Sequence, residues 1–411
     1  MIDNFIELGL SEKTLVAVRK LGYKNPTPVQ AQSIPLTLSG RDVAAAAQTG
    51  TGKTAAFLLP IMDRLRTKSK PLKPRCLIVT PTRELAAQID SCAKSIARHT
   101  HHKILTVVGG VSYSPQINSL KKGVDIVVAT PGRLMDLIDR KAIDFCNIEI
   151  LVLDEADRMC DMGFWPSVKK IAGLTSSRKQ TLLFSATLDK AIVNKAMPLL
   201  KDPEFVEIAR KGETATTVEQ HIMPVGHTQK SDLLSAMLKE KCPGRVIVFT
   251  RTKHRADACA KRLNKQGFAT SSIHSNRTQS QRSRALADFS KGKIDILVAT
   301  DVLSRGIDVS EVNYVLNFDV PVNPDDYVHR IGRTGRAGET GHAITFVGPD
   351  EISNLRDIER SLNSVIPTYE LEGFDYTSHR VVPSANRPAK KKAAAPFSSK
   401  RSGGYNGRGR R

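Results

Sequence analysis

The sequence predicts an α/β protein with two doubly wound parallel-sheet domains in tandem. Its 411 residues suit two domains that each bury a core. Two short apolar runs also recur at nearly one offset. Asp125–Thr130 is echoed by Asp295–Thr300, 170 residues later, and Leu77–Val79 by Val246–Val248, 169 residues later. Two echoes at one spacing indicate a duplicated unit.

Each repeated unit has the pattern of a strand followed by a helix. The runs are rich in β-branched residues, as expected for strands buried on both faces. Apolar residues at helical spacing then follow in both units: Leu85, Ile89, Cys92 and Ile96 in the first, and Ala256, Cys259, Ala260 and Leu263 in the second. Alternating strands and helices predict parallel sheets, whose ligands bind beyond the carboxyl ends of the strands.

A change of composition sets the predicted domain boundaries. Residues 210–217 are polar and lack apolar periodicity, as is typical of a linker. We therefore predict a first domain at 1–208, a linker at 209–218, a second domain at 219–370 and a tail at 371–411.

The net charge of +21 is unevenly distributed along the chain. Ten basic residues and no acidic residue lie between Arg380 and Arg411, which leaves about +11 on the rest. Because this end is also rich in Ala, Ser, Gly and Pro, we expect a disordered tail. Interleaved Phe397 and Tyr405 favour a loose grip on RNA, and a solubility tail is the alternative. A polyanion is the leading class of partner, and a membrane surface is the rival.

Several classes of protein are disfavoured. No apolar stretch approaches the roughly 18 residues of a membrane helix, and Met1–Asn4 does not begin a signal peptide. The six cysteines form no C-x-x-C pair. We expect a cytoplasmic protein with reduced thiols and no membrane partner.

A phosphate-binding loop is predicted at Ala47–Thr54. It follows a candidate strand at Asp42–Ala46 and opens a helical stretch at Ala55–Leu65. Such loops present backbone N–H groups to phosphate, with Lys53 on the β and γ oxygens and Thr54 on Mg²⁺. A plain turn before a helix is the alternative.

Two adjacent carboxylates stand at the carboxyl end of another candidate strand. The apolar run Ile148–Leu153 delivers Asp154, which can hold Mg²⁺, and Glu155, which can polarise the attacking water. Acids that merely end a strand at solvent are the alternative, but the phosphate loop about 100 residues earlier favours the metal site.

The second domain lacks both parts and carries arginines instead. His329–Gly338 places Arg330, Arg333 and Arg336 three apart among glycines. Guanidinium groups of this kind stabilise a transferring phosphoryl group, the arginine-finger role, and a solvated basic loop is the alternative.

Taken together, these residues resemble the DEAD-box family of ATP-dependent RNA helicases over about residues 1–370. The tetrad that names the family stands at Asp154–Asp157. Other family motifs follow in order: Pro81–Ala86, Gly109-Gly110, Thr130–Arg133, Ser185–Thr187, Val248–Thr250, Gln281 with Arg284, and Thr300–Asp308. The family's adenine-reading element is matched within residues 3–31 by Gly22-Tyr23, Pro26–Gln30 and the aromatic Phe5.

The resemblance implies two RecA-like domains, ATP and Mg²⁺ as cofactors, and a role for each matching residue. The implied catalytic residues are Glu155, Lys53, Asp154, Arg333 and Arg336. The implied ATP-binding residues are Phe5, Gln30, Ala47, Gln48, Thr49, Gly50, Thr51, Gly52, Lys53, Thr54, Gly306 and Asp308. The implied Mg²⁺-binding residues are Thr54 and, through water, Asp154. Ser185, Thr187, Asp157 and His329 would couple hydrolysis to strand separation. The implied RNA contacts are Pro81, Thr82, Arg83, Gly110, Thr130, Arg133, Arg284 and Thr300.

The wording around Asp157–Met159 and Asp161–Phe164 resembles the bacterial RhlE-like branch. The expected partner is RNA, held by sequence-independent backbone contacts. Ribosome-assembly or RNA-degradation proteins are candidate protein partners, and the core is expected to be monomeric. Two rival functions remain open, an ATP-gated RNA clamp or assembly scaffold with little unwinding and a DNA translocase.

We predict that deleting residues after about 380 weakens RNA affinity and flattens its salt dependence, because fewer counterions are released on binding. Basal ATP hydrolysis should not change. The measurement is RNA affinity against salt concentration for the full and shortened chains. An unchanged salt slope would favour the solubility tail.

Overall fold

Two parallel β-sheets organise the chain in the computed structural model. The structure describes residues 4–47, 50–66, 73–208, 218–242, 244–301, 312–335 and 340–376. We call the described residues 4–208 lobe 1 and the described residues 218–376 lobe 2. Residues 209–217 of the predicted linker (209–218) and residues 377–411 of the predicted tail (371–411) lie outside the described residues, and the predicted domain boundaries stay a prediction.

Lobe 1 contains a sheet of seven strands in the order β3-β4-β2-β5-β6-β1-β7, and every neighbouring pair runs parallel. The strands are β1 Val43–Ala46, β2 Cys76–Val79, β3 Ile104–Val107, β4 Ile126–Ala129, β5 Ile150–Asp154, β6 Gln180–Ser185 and β7 Glu204–Glu207. The helices are α1 Glu12–Lys20, α2 Pro28–Leu38, α3 Lys53–Arg64, α4 Arg83–Thr100, α5 Tyr113–Lys122, α6 Pro131–Asp139, α7 Ala156–Asp161, α8 Trp165–Leu174 and α9 Lys190–Ala196, with 3-10 turns at Phe5–Leu8 and Met197–Leu199.

Lobe 2 contains a sheet of six parallel strands in the order β10-β11-β9-β12-β13-β8. The strands are β8 Val218–Pro224, β9 Val246–Phe249, β10 Thr270–Ile273, β11 Ile296–Ala299, β12 Tyr314–Asn317 and β13 Gly341–Val347. The helices are α10 Lys230–Glu240, α11 Lys253–Lys265, α12 Gln279–Ser290, α13 Pro324–Ile331 and α14 Ile352–Leu362, with a 3-10 turn at Pro349–Glu351.

The repeats found in the sequence occupy equivalent places in the two sheets. In lobe 1 Cys76 of β2 pairs with Ile126 of β4, and in lobe 2 Val246 of β9 pairs with Ile296 of β11. The central strands are buried on both faces, so each sheet lies between two layers of helix. The predicted fold class is confirmed.

Local sequence explains where the site helices begin. Helix α4 starts after Thr82, whose hydroxyl accepts a hydrogen bond from the N–H of Leu85 at 3.3 Å. Helix α6 starts with Pro131, which needs no hydrogen-bond partner for its nitrogen. Both helices therefore begin directly beyond the carboxyl end of a strand. Within the described part of the chain, no helix is long and apolar enough to cross a membrane.

Lobe 2 buries a charged cluster beneath the start of α10. The ammonium group of Lys230, 1% exposed, donates to the carbonyl of Phe318 at 2.8 Å and to the carboxylate of Glu351 at 2.5 Å. The other Glu351 oxygen accepts from Arg251 at 2.9 Å. Burial lowers the pKa of Lys230, and the negative charge of Glu351 opposes that shift. The cluster ties α10, β12 and the turn after β13 together.

We predict that Lys230→Met destabilises lobe 2 by about 3 kcal/mol, because it leaves Glu351 buried without its main cation. Trp165 in lobe 1 is the one tryptophan of the chain, so its fluorescence reports lobe 1 while far-UV circular dichroism reports both lobes. In urea the dichroism should show an early transition while the Trp165 midpoint stays in place.

Lys94→Met is the matched control. It breaks the pair between the exposed Lys94 ammonium group and Asp90 one helical turn away and should cost no more than about 0.5 kcal/mol. An unchanged dichroism transition in Lys230→Met, or an equal shift of the Trp165 midpoint, would contradict the prediction.

Candidate functional site

Three neighbouring strands of lobe 1 carry the predicted nucleotide-site residues at one edge of the sheet. Strand β6 lies between β5 and β1. Asp154 ends β5, Ser185 ends β6, and the loop after β1 leads into α3 at Lys53. Because all strands are parallel, their carboxyl ends meet at one edge. The structure thus brings these side chains together as the sequence predicted.

The loop after β1 turns sharply before α3. Gly50 and Gly52 have φ values of 86° and 92°, a left-handed conformation that favours glycine. A Cβ at Gly52 would also clash with the side-chain amide of Gln30. The described part of the loop therefore requires glycine at these two positions. Thr51 and Thr54 are half-buried beside it, and the N–H of Ala47 donates to the carbonyl of Ser185 at 3.0 Å.

Lys53 and Glu155 form a buried ion pair at the centre of this edge. The ammonium group of Lys53 lies 2.9 Å from Glu155 Oε1, and the two side chains are 7% and 3% exposed. Burial disfavours the Glu155 carboxylate, but Lys53, with His329 and Arg158, more than offsets this effect and lowers the pKa of Glu155. Glu155 is thus held ionised, as a group that accepts a proton from water must be.

The neighbouring Asp154 is shifted in the opposite direction. Burial and the negative charges of Glu155 and Asp157 raise its pKa, and the charge of Lys53 only partly compensates. Asp154 is 4% exposed. The edge therefore concentrates more negative charge than Lys53 neutralises, which favours a further cation there.

A cleft of about 590 Å³ extends from this edge to the segment that precedes α2. It is lined by Tyr23, Thr27, Gln30, Lys53 and Cys92, among others. The Gln30 side chain accepts from the N–H of Thr27 at 2.9 Å and donates to the carbonyl of Gly52 at 3.1 Å. Gln30 thus fixes the predicted adenine-reading segment against the phosphate loop.

The structure places Phe5 against Tyr23, and its expected adenine contact stays a prediction. Phe5 is 2% exposed and belongs to the core of lobe 1. Its ring stacks behind that of Tyr23 at a centroid distance of 6.3 Å, and Tyr23 is the aromatic ring that lines the cleft. Burial raises the pKa of the Tyr23 phenol to about 12. Tyr23 stands directly after Gly22 in the adenine-reading element, and this position was the sequence signal for a ring that lines the cleft.

Asp157 links the acid pair to the end of β6. One carboxylate oxygen accepts from the N–H of Arg158 at 2.8 Å, and the other accepts from the N–H of Ala186 at 3.2 Å. The N–H of Asp157 donates to the hydroxyl of Ser185 at 3.3 Å. Ser185 and Asp157 therefore meet as expected, and half-buried Thr187 lies two residues further along the same loop.

The predicted RNA contacts of lobe 1 lie beyond β2, β3 and β4, on the other half of the same edge. The guanidinium of Arg83 rests against Gly109 and Gly110, and a Cβ at Gly110, whose φ is 79°, would clash with it. Arg133 stacks on the Tyr113 ring at 4.0 Å and donates to the carbonyl of Val111 at 2.9 Å. Arg133 is 7% exposed and supports the loop that carries Gly110.

The other predicted RNA residues of lobe 1 begin helices at this edge. Pro81 and Thr82 precede α4, and Thr130 precedes α6, and all three are buried. In lobe 2, half-buried Thr300 follows β11 and donates its N–H to the carbonyl of Ile273 at 3.3 Å.

The structure does not support the placement of Gln281 and Arg284 at the site. Gln281 caps its own helix by accepting from the N–H of Thr278 at 3.0 Å. The Arg284 side chain is 85% exposed and lies 3.7 Å from Asp288 on the same helix. The reason is geometric, since this face of α12 points away from lobe 1.

The same Q-x-x-R spacing occurs two residues earlier and was missed. Arg282 donates to Glu84 of lobe 1 at 2.5 Å, with both side chains buried, and Gln279 donates to the same carboxylate at 3.3 Å. These contacts join the start of α12 to the start of α4. A second bond between the lobes runs from the guanidinium of Arg158 to the carbonyl of Asp301 at 3.2 Å.

Some predicted site residues cannot be placed. Gln48, Thr49, Gly306, Asp308 and Arg336 lie outside the described residues. Arg333 is described, 2% exposed in lobe 2, and donates to the carbonyl of His329 at 3.2 Å. His329 acts on Glu155 from lobe 2 through its charge.

A slightly larger cleft, of about 680 Å³, lies at the opposite, amino-terminal edge of the lobe 1 sheet. Arg178 on its wall donates to the carbonyls of Ala172 and Leu199 at 2.7 and 3.0 Å and to the hydroxyl of Thr181 at 2.8 Å. Since this guanidinium is committed to holding the protein together, the nucleotide edge is the stronger candidate site.

Comparison with known proteins agrees with this geometry. The family described as DEAD/DEAH box helicase matches residues 27–195, and the family described as helicase conserved C-terminal domain matches residues 229–338. ATP-dependent RNA helicase CshA of Listeria monocytogenes is 45% identical over 360 residues, which cover 88% of this chain and 69% of that protein. CshA is a different branch from RhlE, so the RhlE-like assignment is not confirmed.

Two solved structures resemble both lobes in a single superposition. S. cerevisiae Dbp5 bound to RNA and ADP BeF3 matches with a TM-score of 0.80 and 30% identity, over 89% of this chain and 95% of that chain. Mss116p, with its NTE and C-tail deleted and bound to ssRNA and AMP-PNP, has a TM-score of 0.81, with 31% identity over 90% and 79% of the two chains. The paired acids beside a phosphate loop, the duplicated parallel sheets and these matches lead to one conclusion: the chain belongs to the DEAD-box family of ATP-dependent RNA helicases.

Proposed function

We propose that RNA and ATP hold the two lobes together and that this closure completes the hydrolytic site. The observation that carries the proposal is the buried ion pair between Arg282 of lobe 2 and Glu84 of lobe 1. Glu84 directly follows Arg83 and Thr82, which are candidate RNA contacts. A pair of this kind exists only when the lobes are together, so a ligand that favours the pair favours closure.

Within lobe 1 the catalytic roles follow from the geometry of the edge. Lys53 is placed to hold the β and γ phosphates of ATP, and Glu155, held ionised, is placed to accept a proton from the attacking water. From lobe 2 we propose that Arg333 and Arg336 stabilise the transferring phosphoryl group. Their arrival with closure would make hydrolysis depend on RNA.

The residues at this edge also fit Mg²⁺. Asp154, Glu155 and Asp157 are each no more than 6% exposed, and Lys53 is already paired with Glu155. Mg²⁺ prefers oxygen ligands and keeps several waters, so an ion shared with phosphate and water suits this edge. Asp154, through water, and Thr54 would hold it. Bound there, Mg²⁺ would neutralise phosphate charge and orient the γ-phosphoryl group.

We propose that the other half of the edge grips RNA through its sugar-phosphate backbone. Arg83 rests against Gly109 and Gly110, and Arg133 stacks on Tyr113. These contacts place cations and backbone amides beyond β2, β3 and β4. Such groups bind backbone without reading sequence. Contacts from Thr300 on lobe 2 would then bend a single strand in a way that a duplex cannot follow, and phosphate release would reopen the cleft.

A reducing, cytoplasmic setting is part of the proposal. All six cysteines are free, and burial raises the pKa of the Cys242 thiol to about 12. The buried thiols of Cys76 and Cys242 therefore act as small apolar groups. The protein partners and the monomeric state suggested by the resemblance stay predictions.

We predict that Glu155→Gln lowers RNA-stimulated kcat by at least about 100-fold, because the amide cannot take a proton from water. RNA affinity with ATP present should be retained, which would make the variant a long-lived clamp. The measurements are phosphate release at saturating single-stranded RNA and RNA affinity by fluorescence anisotropy. Glu149→Gln, at the far end of β5 where Glu149 pairs with Arg75, is the matched control. Phosphate release at the wild-type rate in Glu155→Gln would disprove the assignment.

We predict that Glu84→Gln and Arg282→Met each weaken RNA binding in the presence of a non-hydrolysable ATP analogue. The double variant should lose less binding free energy than the two single variants added together. The coupling should be about 1–3 kcal/mol, since the partners share one buried contact. RNA affinity of all four proteins gives the cycle.

Arg284→Met is the matched control for Arg282→Met, because Arg284 is an exposed arginine of the same helix. Its RNA affinity should change little. If Arg284→Met weakens binding as much as Arg282→Met does, the reassignment to Gln279 and Arg282 is wrong.

A further inference from the structure

Arg158 occupies the position directly after the acidic tetrad, in helix α7. It is 3% exposed although it lies at the face of lobe 1 that meets lobe 2. One of its terminal nitrogens donates to the main-chain carbonyl of Asp301 at 3.2 Å. The mechanism proposed above gives Arg158 no role, yet it lies three residues from Glu155 and bonds to the opposite lobe.

The receiving carbonyl in lobe 2 is firmly placed. The Asp301 carboxylate accepts two hydrogen bonds from Arg330, at 2.6 and 2.9 Å. Arg330 is 1% exposed and donates to the carbonyl of Asp319 at 2.9 Å. Asp301 also follows Thr300, a candidate RNA contact. The carbonyl that Arg158 meets is therefore anchored to the core of lobe 2 and adjoins the proposed RNA grip.

Arg158, the donor in lobe 1, is in turn linked to the segment that carries Glu155. The N–H of Arg158 donates to the Asp157 carboxylate, which also accepts from the N–H of Ala186 after β6. The charge of the guanidinium is near enough to act on Glu155. Movement of Arg158 would therefore displace the segment that holds Glu155.

We propose that Arg158 is a positioning residue that links closure over RNA to the hydrolytic edge, by bonding the Asp301 carbonyl in the closed form. The inference rests on the closure proposed above. Since the bond joins the lobes, it stabilises the closed form and adds nothing to the binding of ATP or RNA by an open molecule. Arg158 therefore contributes to the coupling between the two ligands.

Linkage gives this inference a quantitative form. If Arg158 acts only in the closed form, its removal must reduce the effect of ATP on RNA affinity and the effect of RNA on ATP affinity by the same factor. A hydrogen bond from a charged group to a partly buried carbonyl such as that of Asp301 corresponds to a factor of about ten. The affinity for each ligand alone should not change.

The experiment uses the full chain, the non-hydrolysable analogue AMP-PNP and a short fluorescein-labelled oligouridylate. RNA affinity is measured with and without AMP-PNP, and AMP-PNP affinity with and without RNA, for wild type, Arg158→Met and Arg158→Lys. Arg19→Met is the matched control, because Arg19 pairs with Glu12 on an exposed face of α1. We expect coupling to fall about tenfold in Arg158→Met, in both directions, with an intermediate value in Arg158→Lys and no change in Arg19→Met.

Two results would overturn the inference. Coupling that stays at the wild-type value in Arg158→Met shows that the bond does not support closure. A loss of AMP-PNP affinity without RNA that matches the loss of coupling shows that Arg158 merely maintains lobe 1. If Arg158→Met does not fold, Arg158→Lys must still lower the coupling, and an unchanged value is decisive against the inference. Absence of coupling in the wild type would instead disprove the proposed closure.

Discussion

The parallel direction of every strand in both sheets is the constraint on which the site depends. In a parallel sheet each strand returns through a helix, so all the loops that follow strands meet at one edge. In lobe 1 this edge receives the phosphate loop after β1, the acids at the end of β5 and Ser185 at the end of β6, while β2, β3 and β4 deliver the candidate RNA contacts. One sheet thus presents two adjoining sites without any long loop, and the order of the strands decides which residues are neighbours.

The concentration of charge at that edge explains why its residues suit a ligand rather than stability alone. Asp154, Glu155 and Asp157 are buried within four positions of one another, and burying carboxylates is costly unless they are paired and hydrogen-bonded. Lys53 pairs with Glu155 and Asp157 accepts two backbone bonds, while burial and neighbouring charge raise the pKa of Asp154. Burying these carboxylates costs free energy that the contacts within lobe 1 do not fully recover. Binding of a cation and phosphate would recover part of it, and charged groups held in this way are typical of active sites.

The parts that the sequence predicted well are those in which chemistry depends on neighbours along the chain. The phosphate loop, the acid pair and the strand echoes were found because spacing within a strand-loop-helix unit determines them. The features that the sequence did not reveal have a different cause. Phe5 and Tyr23 are both aromatic residues of one segment, and which ring faces the cleft depends on how that segment packs on lobe 1. Gln281 with Arg284 and Gln279 with Arg282 share a spacing, and only the face that α12 turns toward lobe 1 separates them. Contacts between lobes, such as that of Arg158, leave no periodic pattern in the sequence.

The positions of the two links between the lobes bear on how two ligands can cooperate. Glu84 follows β2 and Arg158 follows β5, and these strands are neighbours in lobe 1. Their partners Arg282 and Asp301 follow β10 and β11, which are neighbours in lobe 2. Both links therefore lie along the seam where the RNA half of the edge meets the ATP half. The candidate RNA contacts follow β3, β4 and β2, and the candidate phosphate site follows β5, β6 and β1, so the two links lie where these two sets adjoin. In the proposed mechanism, a ligand on either half that favours these links favours closure for the other ligand as well, which gives positive coupling without direct contact between RNA and ATP.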